Sequence, residues 1–273
     1  MSLNIDLEIA NVSDVGQRRP HNEDSTASVL TRGIVIVADG MGGYKAGEVA
    51  SAIATTTVVH DISQGLSKLK SAKNDKSANS EYSSLVKSAI IHANSIIYTA
   101  AQKDEQCQGM GTTIVTGLFY EDKIVVGHVG DSRVYRLRDG DFHQVTKDHS
   151  LIQEVIDRGL YTPEEAAANT PKNLVTRALG IDAKVDVDII EQQVKIGDIY
   201  ILCSDGLTDM VKDEEIHLTL SKYSANLVQA ADNLVQQANS KGGKDNISVI
   251  LAHVSDVKNN SNGRFHNLFS RFF

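Results

Sequence analysis

Twice in this 273-residue chain a short apolar run stops at Asp-Gly: Val35-Ile36-Val37-Ala38-Asp39-Gly40 and Tyr200-Ile201-Leu202-Cys203-Ser204-Asp205-Gly206. Such a run, bounded by glycine, predicts a buried strand. A carboxylate at its end is costly to bury alone, so something cationic has to meet it. A third aspartate, Asp245, comes just before another strand-like run in Lys244-Asp245-Asn246-Ile247-Ser248-Val249-Ile250. Asp-Gly is also a common turn pair, and turn or cap duty accounts for any one of these aspartates taken singly. Taken together they offer only hard oxygen donors. No Cys-x-x-Cys or His-x-x-x-His spacing accompanies them, which excludes the usual structural zinc sites and points to Mg²⁺ or Mn²⁺. Carboxylates shared between two ions build a centre with the ions roughly 3.5–4 Å apart, where the ions acidify a water between them and neutralise charge developing on a phosphoryl group, so the matching electrophile is phosphorus. Arg19 precedes Glu23 and Asp24 in Gly16-Gln17-Arg18-Arg19-Pro20-His21-Asn22-Glu23-Asp24, and a guanidinium fork can hold two phosphate oxygens.

The elements that must position these groups follow from periodicity. Residues 5–10 alternate as a half-exposed strand, and 25–30 with 33–38 form a hairpin that turns at Thr31-Arg32. A helix covers 46–62, and the Ser/Lys/Asn-rich stretch 67–84 reads as a mobile loop or a frayed helix end. A second amphipathic helix covers 85–100. Strands are expected at 112–120, 123–129, 133–137 and 141–145, joined by Glu121-Asp122 and Asp139-Gly140 turns, so the sheet is antiparallel. Ser150 with Gln153 reads as a capping box opening a short helix that Gly159 closes. Thr162-Pro163-Glu164-Glu165 starts another. Strands near 185–190, 198–203 and 246–254 and helices near 213–220 and 227–239 complete the chain. Strand runs and helix pairs segregate, which makes the class α+β.

Bulk composition narrows the partners. With 27 basic and 35 acidic residues the formal charge is −8, which excludes the basic field that nucleic acid or an anionic membrane requires. Two cysteines, Cys107 and Cys203, make no disulfide framework and suit a reducing cytoplasm. Residues 1–8 carry no signal-peptide pattern, and no run is long enough to span a bilayer.

Six blocks in order carry a family resemblance: Arg19-x-x-Asn22-Glu23-Asp24, Asp39-Gly40-Met41-Gly42-Gly43, Gly109-Met110-Gly111-Thr112-Thr113, Gly130-Asp131-Ser132-Arg133, Ser204-Asp205-Gly206-Leu207-x-Asp209 and Asp245-Asn246-Ile247-Ser248. They resemble the metal-dependent phosphatases often called PPM or type 2C, in their bacterial form, over about 11–254. The resemblance implies a serine/threonine protein phosphatase with a central antiparallel β-sandwich flanked by helices on both sides. It implies two Mn²⁺ or Mg²⁺ ions bridged by Asp39, with the Gly40 carbonyl on one ion and Asp205 and Asp245 on the other. Glu23 acts through a metal-bound water, Asp24 assists in that shell, and Arg19 clamps the substrate phosphate. Bacterial members often hold a third ion near Asp131 and Asp209. Residues 148–174 match the family's flap, so the expected organisation is a phosphatase domain over 1–255 and a tail over 256–273. Phosphoproteins, as targets of a serine/threonine kinase, are the implied partners.

One departure concerns the proton donor to the leaving alcohol. Many eukaryotic members place histidine where this chain has Met41, and methionine cannot donate. The role passes to a metal-bound water, or to His149 or His21 from a loop. His128, inside an alternating strand, reads as packing. The tail is unusual: after the polar linker 258–263, residues 264–273 hold four of the six phenylalanines. With Arg264 and Arg271 interleaved it reads as an amphipathic segment for a partner or membrane surface, or as a tail folded back on its own domain. Two rival readings stand beside the phosphatase. One is a phosphatase-like binding module without turnover, whose signature is a missing metal carboxylate. The other is a two-metal phosphodiesterase or nuclease, which fits the ions but not the acidic charge.

Overall fold

Apolar residues that continue without a polar break are stable in a strand only if both its faces are covered. The computed structural model, which describes residues 5–42, 46–71, 78–171 and 174–257, covers them with two stacked sheets and a helix pair on each outer face. In chain order the elements are β1 (Ile5–Asp14), β2 (Asp24–Val29), β3 (Ile34–Met41), α1 (Ala46–Ser71), α2 (Ala78–Lys103), β4 (Gly111–Thr112), β5 (Ile114–Tyr120), β6 (Lys123–Val129), β7 (Arg133–Arg138) and β8 (Asp141–Gln144). Then come α3 (Leu151–Asp157), α4 (Pro163–Asn169), β9 (Asp188–Gln193), β10 (Ile199–Cys203), α5 (Asp205–Thr208), α6 (Asp213–Tyr223), α7 (Leu227–Ser240) and β11 (Ile247–Val257). One sheet runs β1-β11-β10-β7-β8 and the other β2-β3-β5-β6-β9, with β4 beside β3. Every pairing is antiparallel.

The period-2 pleat divides each central strand between two cores. In β3, Ile34, Ile36 and Ala38 pack with Ala50, Ala54 and Val58 of α1 and Ile90 and Ala93 of α2. Val35 and Val37 point the other way, into the space between the sheets, with Phe119, Tyr200 and Leu202. In β10, Ile201 and Cys203 meet Ala230, Ala231 and Leu234 of α7 on the opposite outer face. Cys203 is therefore the buried thiol its position in the run predicts.

Four expectations change. The helices α1 and α2 extend through Ser71 and from Ala78, into the stretch read as loop or frayed end, because Leu66 and Tyr82 carry their packing on beyond the periodic cores. Ser67, Lys68 and Ser84 there are exposed and sit in the helices at modest propensity cost. Residues 72–77 lie outside the described residues. The strand expected at 185–190 begins at Asp188, since Val185 and Val187 pack into the helix-side core before pairing starts. The Ser150 box is half made: Ser150 Oγ accepts from the Gln153 amide at 3.3 Å, while the Gln153 side chain donates to Asp157 instead. The Thr162–Glu165 box is complete, with Pro163 opening α4. β11 runs to Val257, two residues into the expected tail. Residues 258–273 lie outside the described residues.

Candidate metal centre

The antiparallel order brings the acidic strand ends to one edge of the sandwich. β2 begins where β3 ends, and Asp24 pairs directly with Asp39 across that ladder. Opposed residues share a sheet face, so both carboxyl groups lie on the inner side. β6 runs with β3 and ends just before Asp131, while in the other sheet β10 ends just before Asp205 and β11 starts just after Asp245. A cleft of about 260 Å³ results, lined by Arg19, Glu23, Asp39, Gly40, Met41, Gly42, Thr113, Asp131, Val175, Asp205 and Asp245. Asp24 lies behind Asp39 and accepts from Ser204 Oγ at 2.8 Å. Asp209 closes α5, exposed at the edge of the cleft.

Two glycines explain the Asp-Gly pattern. A Cβ on Gly40 would overlap the carbonyls of Gly47 and Glu23, and one on Gly206 would overlap the Asn246 carbonyl. Each strand end is thus pressed against neighbouring backbone that tolerates no side chain.

The electrostatics are those of acids crowded in a low-dielectric pocket. Burial first, then Asp24, Asp205, Asp131 and Asp245, hold Asp39 well above the ordinary carboxylate range. Asp24 is pushed up to about 7, chiefly by burial with Asp245 adding to it. Burial and then Asp131, Asp209 and Asp245 push Asp205 up to about 8. Asp131 rises to about 6 through burial and Asp148. Glu23 rises as well, mainly through burial. These shifts measure how strongly the cluster lacks positive charge. Asp24 Oδ1 and Asp205 Oδ1 are buried without any hydrogen-bond partner, which leaves lone pairs free for a cation. The all-oxygen donor set and these orphaned atoms fit Mn²⁺ or Mg²⁺. Among the described residues the carboxylates of the cleft form no single cage. The one trio of side chains with donor atoms all within 4.8 Å of one another is His128, His149 and Asp188.

Arg19 stands half-exposed at the mouth, its Nη2 donating to Asp245 Oδ2 at 2.7 Å. Arg18 is exposed and outside the lining, as a solvated neighbour should be. Met41 lines the cleft and offers no proton. His21 Nε2 lies 3.7 Å from Glu23 Oε1. His149, one of the expected proton donors, does not reach the cleft: it is buried and its Nε2 faces Asp188 at 3.2 Å. His128 is buried with its ring stacked on His149, which agrees with a packing role.

Several residues of the six blocks support the acids without being acids themselves. Asn246 is foremost. Its Oδ1 accepts from the Glu23 amide at 2.8 Å, and its Nδ2 donates to the carbonyls of Val15 and His21. It thereby staples the loop carrying Arg19 and Glu23 to the start of β11. Thr113 Oγ1 accepts from the Asp39 amide and bonds Ser132 Oγ at 2.7 Å, joining β3 to the Asp131 turn. Ser204 Oγ also receives the Ser248 amide at 3.0 Å. Their only signal was adjacency to the acids.

Comparison with known proteins agrees with this geometry. The family model described as "Protein phosphatase 2C" matches residues 17–251. The chain is similar to the serine/threonine phosphatase stp of Listeria monocytogenes, 38% identical over 242 residues, covering 88% of this chain and 92% of that one. The crystal structure of the Mycobacterium tuberculosis serine/threonine phosphatase PstP/Ppp superposes with a TM-score of 0.81 at 34% identity, covering 92% of this chain and 99% of that one. The catalytic domain of PstP in complex with 2 manganese ions superposes at 0.77 and 35% identity, with the same coverage. A β-sandwich whose strand ends pool their carboxylates, matched by sequence and by structure over nearly its whole length, belongs to the protein phosphatase 2C family and is a metal-dependent serine/threonine phosphatase.

Proposed function

We propose that the cleft hydrolyses phosphoserine and phosphothreonine in proteins modified by a bacterial serine/threonine kinase, and that the enzyme works in the cytoplasm. Its two free cysteines, one buried and one partly so, accord with a reducing compartment. No helix among the described residues is long and apolar enough to cross a membrane. Residues 1–255 act as one phosphatase domain, with 148–174 as its flap.

In this reading Asp39, the Gly40 carbonyl, Asp205 and Asp245 hold two Mn²⁺ or Mg²⁺ ions, with Glu23 and Asp24 supporting them. Asp131 and Asp209 serve a third. When bound, such ions would supply Lewis acidity to a water and would screen charge that develops on the phosphoryl oxygens. The chain's own residues do the positioning. Arg19 at the mouth presents a fork to two phosphate oxygens, and its present partner Asp245 keeps it aimed across the cleft. Asn246 fixes the loop that carries Arg19. No nucleophilic cysteine lines the cleft, so hydrolysis is direct, without a phosphoenzyme.

The observation that carries this reading is the pair of buried, unpartnered carboxylate oxygens on Asp24 and Asp205 beside one half-exposed arginine. Asp39→Asn is expected to cut Mn²⁺-dependent hydrolysis of p-nitrophenyl phosphate at least about a hundredfold while circular dichroism stays unchanged. Near-normal turnover in that variant would contradict the assignment. Release of phosphate from a phosphothreonine peptide, with no cleavage of single-stranded DNA, separates the phosphatase from the nuclease reading.

A further inference from the structure

His149 sits where three segments meet. Its amide donates to the Gly130 carbonyl at 2.8 Å, and its carbonyl accepts from the Thr176 amide at 2.8 Å. Ser150 and Val175 then form an isolated bridge, and Leu151 donates to Leu174, so both legs of the flap close at this point. The side chain adds a fourth link: the Gly130 amide donates to His149 Nδ1 at 3.1 Å.

That link fixes the tautomer. Nδ1 receives a backbone N–H, so its lone pair is engaged and the ring proton must sit on Nε2. Nε2 faces Asp188 Oδ2 at 3.2 Å and donates to it. Arg177 Nη1 holds Asp188 Oδ1 at 3.0 Å and also lies 3.3 Å from Nε2. As a half-exposed side chain it can turn its N–H toward Asp188, whereas the Gly130 backbone amide cannot turn away from Nδ1. The His128 ring lies against His149 with centroids 4.5 Å apart and planes 28° from parallel. Both His128 nitrogens are buried without partners, and burial pushes its pKa down to about 3, so it is an uncharged plate backing the ring. By residue type, His128, His149 and Asp188 would suit a transition metal. The tautomer argues against one. The His149 nitrogen facing the trio carries a proton, and moving it to Nδ1 would set two N–H groups against each other in a buried site.

The atoms so held matter for the cleft. Gly130 adopts φ 110°, a conformation that side chains rarely take, and a Cβ there would strike Thr113 at 2.6 Å. Asp131 is the next residue and lines the cleft, as does Val175 on the returning leg of the flap.

We propose that His149, fixed as its Nε2–H tautomer between Gly130 and Asp188, is a positioning residue that ties the flap base to the Gly130–Asp131 turn and so sets the affinity of the Asp131 end of the cleft for a divalent ion. This rests on the reading of Asp131 as a metal-holding residue.

Two isosteres test it. In His149→Asn the amide oxygen reaches the place of Nδ1 and can still accept from Gly130. In His149→Gln the amide reaches the place of Nε2 and leaves Gly130 without an acceptor. In metal-free wild type, ring-nitrogen NMR should show Nε2 protonated, and the Gly130 amide should exchange slowly with solvent. Titration calorimetry with Mn²⁺ should show the weakest ion binding within about threefold of wild type in the Asn variant and roughly tenfold more weakly in the Gln variant, the scale of one buried hydrogen bond left unmade. Equal affinities in both variants, whether normal or reduced, would overturn the proposal, as would a ring protonated on Nδ1. If the Gln variant does not fold, His149→Ala, which likewise leaves the Gly130 amide without an acceptor, gives the second reading. Weakened Mn²⁺ binding supports the tie and unchanged binding overturns it. Asp131→Ala separates the two levels of the argument. If it leaves the number of bound ions unchanged, the reading of Asp131 fails. If it removes an ion while the Asn and Gln variants bind alike, only the His149 proposal fails.

Discussion

Five acids share the cleft with a single arginine, and this imbalance fixes the behaviour of the metal-free protein. Asp24, Asp131 and Asp205 have folded pKa values raised to about 7, 6 and 8. Unfolded aspartates titrate near ~3.9, so between roughly pH 4 and 8 the fold binds more protons than the unfolded chain. Stability is then greatest at the acid end of that window and falls as pH rises through the folded values. The melting temperature without metal is expected to be lower at pH 8 than at pH 5, and Mn²⁺ should restore it. A metal-free protein more stable at pH 8 would sink the description of the cluster. By the same sign, Asp39→Asn removes a charge that burial and four aspartates oppose. It is expected to stabilise the metal-free protein while abolishing the gain from Mn²⁺, read by denaturant unfolding with and without the ion.

Between elements the decisive contacts are stapled loops rather than large areas. Asn246 uses both ends of its amide to hold the loop between β1 and β2 against β11. Asn246→Ala strands three backbone groups and is expected to cost about 1–3 kcal/mol. Because the loop carries Arg19, KM for p-nitrophenyl phosphate should rise more than kcat falls. A variant that loses kcat alone would place Asn246 in the chemistry instead of the binding of phosphate.

Across the whole molecule the four layers separate stability from activity. Leu220 is fully buried in α6, in the core that packs α6 and α7 on the outer face of one sheet. Leu220→Ala should lower unfolding free energy by about 2–5 kcal/mol through transfer and cavity terms. The Mn²⁺ concentration for half-activation should stay within about twofold, because well-separated sites behave additively. A large shift in that concentration would show that the outer helices hold the metal end directly.

Much of this was legible in the letters because apolar periodicity and turn chemistry are local. The buried strands that carry Asp39 and lead into Asp205, the hairpin turns with Glu121 and Asp139 at positive φ, and the Thr162 box follow from neighbours in the chain. The six acidic and glycine blocks identified the family and its ions for the same reason: each is a contiguous run. Helix length beyond Ile62 and before Leu85 was not legible, since Leu66 and Tyr82 find their place only in the assembled helix-side core. Nor was the fate of His149, whose residue type suits a proton donor. Only the approach of Gly130, 19 positions away, and of Asp188, 39 away, turned its ring from the cleft and assigned its proton. The sequence by itself determined which atoms could bind a cation and a phosphate. Tertiary structure decided which of them meet, because burial and hydrogen-bond direction belong to the packed chain and not to any one segment of it.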